Sequence, residues 1–204
     1  MSANAVEILS TAALGYLIGS IPVAYVVGRL AAGVDVRVAG EGNVGARNVF
    51  HVVGPRWGIV SFVGDFAKGA AVAALFRTSP TWQLAVATTA ALVGHAYPVW
   101  LRFVGGKGLS LAGGTAAVLM PLGVLVGVGC AGVAWLLTHR FLPTTVVVIV
   151  VSIVSAPFLG ASIGTAALVV WLFALTGAKR GADEARMREV EAATGWDRTR
   201  GLRS

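Results

Sequence analysis

The sequence predicts an all-α integral membrane protein: a bundle of about seven transmembrane helices, N-terminus outside and C-terminus cytoplasmic. Three observations carry this reading. Hydrophobic residues make up 56% of the 204 residues and charged residues 12%, and the mean hydropathy is +0.80. A soluble domain of this length cannot bury so much apolar surface, whereas hydrocarbon removes the need to bury it. The apolar residues fall into runs of roughly 20, the length that crosses a bilayer core. The basic residues crowd onto alternate connections between those runs.

The first run covers residues 6–30 and is followed by a glycine-rich polar segment over 33–56. Its start does not resemble a signal peptide, because it lacks a basic leading region, carries Glu7 and stays apolar too long. The second run, 57–76, holds Asp65 and Lys68; residues 77–80 form a short turn, and 81–100 form the third run. A second glycine-rich loop follows, Arg102 to Gly108. Residues 109–138 are then about thirty apolar positions without a charge, too many for one span. Pro121 with Gly123 predicts a break there, giving a short fourth helix and a fifth. His139 and Arg140 close that pair, 143–159 is the sixth run, Gly160 a hinge, and 161–175 the seventh. The 27 glycines suit close helix packing in lipid.

Seven spans place the connections after runs one, three, five and seven on one side. Those connections hold Arg37, Arg47, Arg56, Arg102, Lys107, Arg140, Lys179 and Arg180, and the other side has Arg77. The positive-inside rule makes the rich side cytoplasmic. The same rule accounts for the net charge of +7, and no recognition motif points to nucleic acid. Residues 1–178 are expected to form the transmembrane domain and 179–204 a basic cytoplasmic tail, which either forms a short surface helix over 184–193 or stays disordered.

The polar motifs gather on that cytoplasmic side. In the first loop, glycines alternate with polar residues over 40–51: Gly40, Glu41, Gly42, Asn43, Gly45, Arg47, Asn48 and His51. Glycine lets successive N–H groups converge into an anion-binding nest, and Arg47 adds a guanidinium fork for phosphate. The alternative is a polar loop with turn glycines. Gly105-Gly106-Lys107-Gly108 follows the same logic, with a cation just ahead of a helix N-terminus. It is not a Walker A loop, because the spaced first glycine and the Ser or Thr after Lys are missing, so nucleotide hydrolysis is unsupported.

Asp65 and Lys68, three residues apart, share a helix face and can pair within the membrane. A structural ion pair is the favoured reading for Asp65. His95, just before Tyr97-Pro98 and the second loop, can act as a proton acceptor or serve as a hydrogen-bonded helix-end residue. Cys130, the one cysteine, is read as helix packing. Trp57, Trp82, Trp100 and Trp171 near the span ends form an interfacial belt. No Cys/His spacing suggests a metal, and no nucleophile elbow suggests a covalent intermediate.

At this point the motifs resemble the PlsY family of membrane acyltransferases. The resembling stretches are Gly19-Ser20-Ile21-Pro22, residues 40–49, Asp65-Phe66-Ala67-Lys68-Gly69, and Gly94-His95-Ala96-Tyr97-Pro98 through Gly108, in matching order over roughly the first half of the chain. The resemblance implies a seven-helix inner-membrane bundle with a cytoplasm-facing site. It implies transfer of a fatty acyl group from acyl phosphate to the sn-1 hydroxyl of glycerol 3-phosphate, giving lysophosphatidic acid and phosphate without metal, cofactor or acyl-CoA. The implied catalytic group is His95, Lys107 and Asn43. The implied phosphate cradle is Gly42, Gly45, Arg47, Asn48, Gly105, Gly106, Lys107 and Gly108, supported by Asp65, Lys68, Glu41 and His51. Substrates and membrane lipids are the expected partners.

The chain departs from the family pattern at three positions. Glu41 stands where the family usually has Ser, Arg47 where it has Thr, and His51 where it has Arg. Glu41 sets an anion where phosphate should bind, and Arg47 is placed to offset it. The family's closing His/Asn/Glu-containing motif is not evident from Lys179 onward. A divergent member with another acceptor, or a non-catalytic binder of lipid phosphate or a protein partner, therefore stays open. A small transporter using Asp65 and Lys68 ranks last, since neither repeats nor matched broken helices are found.

Overall fold

The computed structural model describes residues 4–197. It is all-helical: α1 (Ala5–Ser20), α2 (Val23–Ala32), α3 (Ala46–Val52), α4 (Pro55–Phe76), α5 (Thr81–Ala96), α6 (Leu109–Leu119), α7 (Pro121–Thr138), α8 (Phe141–Ser155), α9 (Ile163–Ala182) and α10 (Glu184–Thr194). Single 3₁₀ turns follow α5 at Val99–Leu101 and α8 at Ala156–Leu159. Six apolar stretches are long enough to cross a membrane, namely Ala5–Ala32, Pro55–Phe76, Thr81–Leu101, Pro121–Thr138, Phe141–Leu159 and Ile163–Ala182. The seventh, Leu109–Leu119, is 11 residues long, about 16 Å of helix against a core of about 30 Å. It ends where the sequence places its break, at Pro121, which takes the N1 position of α7.

Helix ends follow local chemistry. Asn4 and Glu7 form a capping box on α1. Ser162 caps α9 through the Thr165 N–H. The first apolar run, expected as one helix, is two: Pro22 has no N–H to donate into a continuing ladder, and the chain breaks at Ile21-Pro22. The glycine-rich segment, expected as loop, contains α3. The last span runs to Ala182, past the expected 175, so its basic end is helical.

Packing depends on small residues, as it must where lipid tails are as apolar as leucine. A Cβ on Gly15 or Gly19 of α1 would collide with the α5 carbonyls of Ala87 and Ala91; Gly69 of α4 meets the Leu111 carbonyl of α6 in the same way. Val72, Ala87, Leu92, Leu111 and Leu172 form the core where α4, α5, α6 and α9 meet. α7 and α8 pair through Gly123 and Gly127 against Ser152 and expose Leu125, Leu136, Leu137 and Val154 outward. Cys130 faces outward too, correcting its assignment to helix packing: the packed face of α7 is Gly123, Gly127 and Ala131, and Cys130 lies off that stripe.

Candidate active site

The first loop is organised by Asn48. Its Oδ1 accepts the Glu41 N–H at 2.9 Å, and its Nδ2 lies within 3.0 Å of the carbonyls of Val36, Ala39 and Asn43. Asn48 is fully buried, so these bonds are unshielded by water. Gly40 and Gly42 supply the positive φ (59° and 64°) that turns the chain back on itself. Arg37 ties the entrance by gripping Asp35 at 2.8 Å, which holds the Asp35 carboxyl below the usual carboxylate range.

Several expected phosphate donors are spent inside the protein. The Gly42 N–H donates to Ala39, Gly45 to Asn43 and Gly106 to His95, each at 3.0–3.1 Å. Asn48 is likewise committed. The cationic side chains of the two loops are Arg47 and Lys107.

The two loops meet. Gly106 fits between the His95 imidazole and the Val44 carbonyl, with no room for a Cβ. Gly108 (φ 87°) then turns the chain into α6. This contact brings Lys107 to 4.0 Å from Glu41, whose carboxylate is also paired with Arg47 at 2.6 Å. Glu41 is buried between the two cations. Burial pushes the Lys107 ammonium below the usual lysine range, with Glu41 opposing the shift. Arg47 also lies over the Phe141 ring, so the α7–α8 turn reaches the same end of the bundle. Beside the loops, the Asn43 Oδ1 is buried without a hydrogen-bond partner among the described residues, an acceptor oxygen available to a ligand hydroxyl.

Under the loops lies an intramembrane polar cluster. Lys68 pairs with Asp65 at 3.0 Å and donates to the Gly19 and Ile21 carbonyls at 3.0 and 2.6 Å. The Gly19 carbonyl loses its helical partner where Pro22 breaks the first span, because the Val23 N–H turns to Ile21, so the break and the buried lysine satisfy one another. The Lys68 ammonium also meets His95 Nδ1 at 3.3 Å. The same Nδ1 lies 3.6 Å from Asp65 Oδ1, and Nε2 is the nitrogen against Gly106. The buried Lys68–Asp65 pair thus positions the His95 imidazole beside the phosphate loop.

A third wall comes from the end of α9 and from α10, within the basic tail expected over 179–204. Arg186 of α10 donates to the Gly42 carbonyl at 2.8 Å, Thr194 to Gly40 at 3.3 Å, and Val190 packs over Gly42. His51 stacks near Trp196, with centroids 5.4 Å apart; burial lowers its pKa from the usual histidine value. Lys179, at the end of α9, is buried against Asp183 (2.6 Å) and the Tyr97 ring. Between α5 and α9 runs a groove of about 210 Å³ with apolar walls (Leu92, Val93, Ala96, Leu175, Ala178 and Ala182) and with Tyr97, Lys107 and Lys179 at its head. Of the chain's three lysines, Lys107 and Lys179 line this groove and Lys68 lies against His95, while 13 arginines carry the rest of its positive charge. That partition was visible in the sequence, as was the i,i+4 pair Lys179/Asp183. The docking of α10 onto Gly40 and Gly42 was not, because nothing local encodes it. Among the described residues no cluster of His, Cys, Asp or Glu is arranged to hold a metal.

Comparison with known proteins matches residues 9–183 to a family model described as glycerol-3-phosphate acyltransferase. Proteins of that name from Symbiobacterium thermophilum and Rubrobacter xylanophilus are 43% identical over 129 residues and 42% over 147. These alignments cover 63% and 71% of this chain and 64% and 71% of the relatives, so they span about two thirds of the relatives' length. The crystal structure of PlsY (YgiH), an integral membrane glycerol 3-phosphate acyltransferase, in its glycerol 3-phosphate form, superposes with a TM-score of 0.75 at 26% identity. It covers 89% of this chain and 92% of that one; the lysophosphatidic acid form gives a TM-score of 0.70.

Proposed function

This chain belongs to the glycerol-3-phosphate acyltransferase family, and on that premise we propose that it moves a fatty acyl group from acyl phosphate to the sn-1 hydroxyl of glycerol 3-phosphate. It is a multi-pass protein of the bacterial-type inner membrane, and the proposed site faces the cytoplasm. The observation that carries the reading is the position of Lys107, which joins the glycine-rich loops to the head of an apolar groove. A water-soluble phosphate ester can approach from the loop side and an acylated phosphate from the groove.

In this scheme Arg47 and Lys107 hold the acceptor phosphate, and glycine on both loops lets it approach closely. Asn43 Oδ1 accepts from the acceptor hydroxyl and orients it. His95 Nε2 sits against Gly106 of the phosphate loop, and Lys68 and Asp65 at Nδ1 hold the ring in place. Acyl phosphate is a mixed anhydride, so its carbonyl is already electrophilic. The hydroxyl oxygen bonds to the carbonyl carbon, the bond to the phosphate oxygen breaks, and the hydroxyl proton leaves with the phosphate. The site's contribution is alignment and charge stabilisation, without a covalent intermediate.

The test is to incubate purified protein with hexadecanoyl phosphate and labelled glycerol 3-phosphate. Lysophosphatidic acid and inorganic phosphate should form in equal amounts. No labelled lysophosphatidic acid, from protein that is folded by its thermal transition, would reject the reading. The buried Glu41 supports a second reading, a different acceptor on the same site; other labelled hydroxyl acceptors in the same assay decide between the two.

A further inference from the structure

We propose that Lys179 receives the phosphate end of the acyl donor, so that donor and acceptor phosphates are held by different lysines. This rests on the acyl-phosphate reading above. Lys179 sits at the head of the α5–α9 groove, only 7% exposed. Its ammonium has three N–H donors. Among the described residues it has one hydrogen-bond acceptor, Asp183 Oδ1, besides the Tyr97 ring face, whose centroid is 4.3 Å away. A nearly buried ammonium with donors to spare calls for a further acceptor.

The groove defines that acceptor's chemistry. Its walls are aliphatic, from Leu92 and Val93 to Leu175 and Ala178, which suits an alkyl chain and offers nothing to a free polyol phosphate. The ligand that fits is an amphiphile with an anionic head, its chain between α5 and α9. Lys107 cannot serve both phosphates equally, because Glu41 draws it to the loop side. Lys179 stands on a separate helix and is held by Asp183, which also pairs with Arg186 at 3.4 Å. When the carbonyl–oxygen bond breaks, charge grows on the departing phosphate, and a cation already in place stabilises it without reorganising. The hydroxyl proton goes to that phosphate and Lys179 stays protonated throughout.

Kinetics separate the two lysines. Lys179→Met keeps the aliphatic stem and should raise KM for acyl phosphate on the order of tenfold or more, the scale of a charge-assisted hydrogen bond. KM for glycerol 3-phosphate should be unchanged, the loss should be equal for decanoyl and hexadecanoyl phosphate, and Lys179→Arg should recover most of it. An unchanged KM for acyl phosphate in active protein, or a loss falling on glycerol 3-phosphate, overturns the proposal while leaving the acyltransferase reading intact. Lysine labelling of the unaltered protein, mapped by mass spectrometry, decides the point should the variant fail to fold. Hexadecyl phosphonate should protect Lys179, and glycerol 3-phosphate should protect Lys107 but not Lys179. Inorganic phosphate separates the head's contribution from the chain's and should protect Lys179 only at much higher concentration. Equal labelling of Lys179 with and without the phosphonate overturns the assignment, and this readout holds even for protein without turnover.

Discussion

Lys107 is a cation kept partly out of water beside a carboxylate, and its behaviour should follow from that. Replacing it with Ala should weaken glycerol 3-phosphate binding by about 1.5–3 kcal/mol, the range for hydrogen bonds to charged groups, measured by calorimetry or KM. Its burial-lowered pKa gives the direction of a pH effect. The charged form is present below that pKa and lost above it, so KM for glycerol 3-phosphate should climb at alkaline pH, starting below the ordinary lysine value of about 10.5. Lys107→Arg should remove the climb, and a profile identical in Lys107→Arg would exclude Lys107 as its source. Glu41 is the opposite case, an anion lodged between the two cations that a phosphate needs. Glu41→Ser frees both, and glycerol 3-phosphate should bind more tightly by about 1–4 kcal/mol, the screened energy of one charge pair at 4 Å. The double change with Arg47→Thr should give back part of that gain. A KM that does not fall in Glu41→Ser would mean the acceptor carries less negative charge than a phosphate monoester.

At the scale of elements, the site is a meeting of three connections and a helix that closes over them. α3 exists because Asn48 anchors its first turn to the loop that precedes it. His95 stands in the last turn of α5, and the second loop folds back over it through the Gly106 N–H on its carbonyl. α10 then clamps the first loop through Arg186 on the Gly42 carbonyl. Arg186 is about one-third exposed, so the bond is partly screened and Arg186→Ala should cost only about 1 kcal/mol of stability. The larger expected effect is on KM for glycerol 3-phosphate, which should rise several-fold as Gly42 loosens, while the thermal midpoint in detergent moves little. Arg186→Lys should recover part of it. A variant that loses its midpoint without a change in KM would make Arg186 a stability residue and nothing more.

For the whole molecule, the functional end is set by where the chain's charges can lie. The loops bearing Arg47 and Lys107, the α7–α8 turn at Phe141 and the basic end of α9 meet at one end of the bundle. Arg77 lies in the turn between α4 and α5. With that basic end in the cytoplasm, reporters fused to the two termini should report opposite sides of the membrane, the C-terminal one cytoplasmic. Reporters on the same side would mean that the short α6 does not count as a pass, leaving the six long stretches to set the topology.

The sequence alone determined the membrane setting, the apolar runs and the break at Pro121, because these depend on composition and on local rules that need no partner. It also placed the glycine-rich loops on one side and paired Asp65 with Lys68, since charge asymmetry and helical spacing are local quantities. Tertiary structure decided what no local rule reaches. Lys68 found carbonyls 47 and 49 residues away, at the break that Pro22 makes in the first run, and met His95 of α5 there. Asn48 was committed to holding the loop, and Glu41 was drawn between Arg47 and Lys107. In the basic tail, the surface helix expected over 184–193 forms as α10 and also packs against the first loop through Arg186. A polar side chain is defined by its partner, and the partners that build this site across the fold, Lys107 for Glu41, Gly42 for Arg186 and the Gly19 and Ile21 carbonyls for Lys68, come near only when the helices pack.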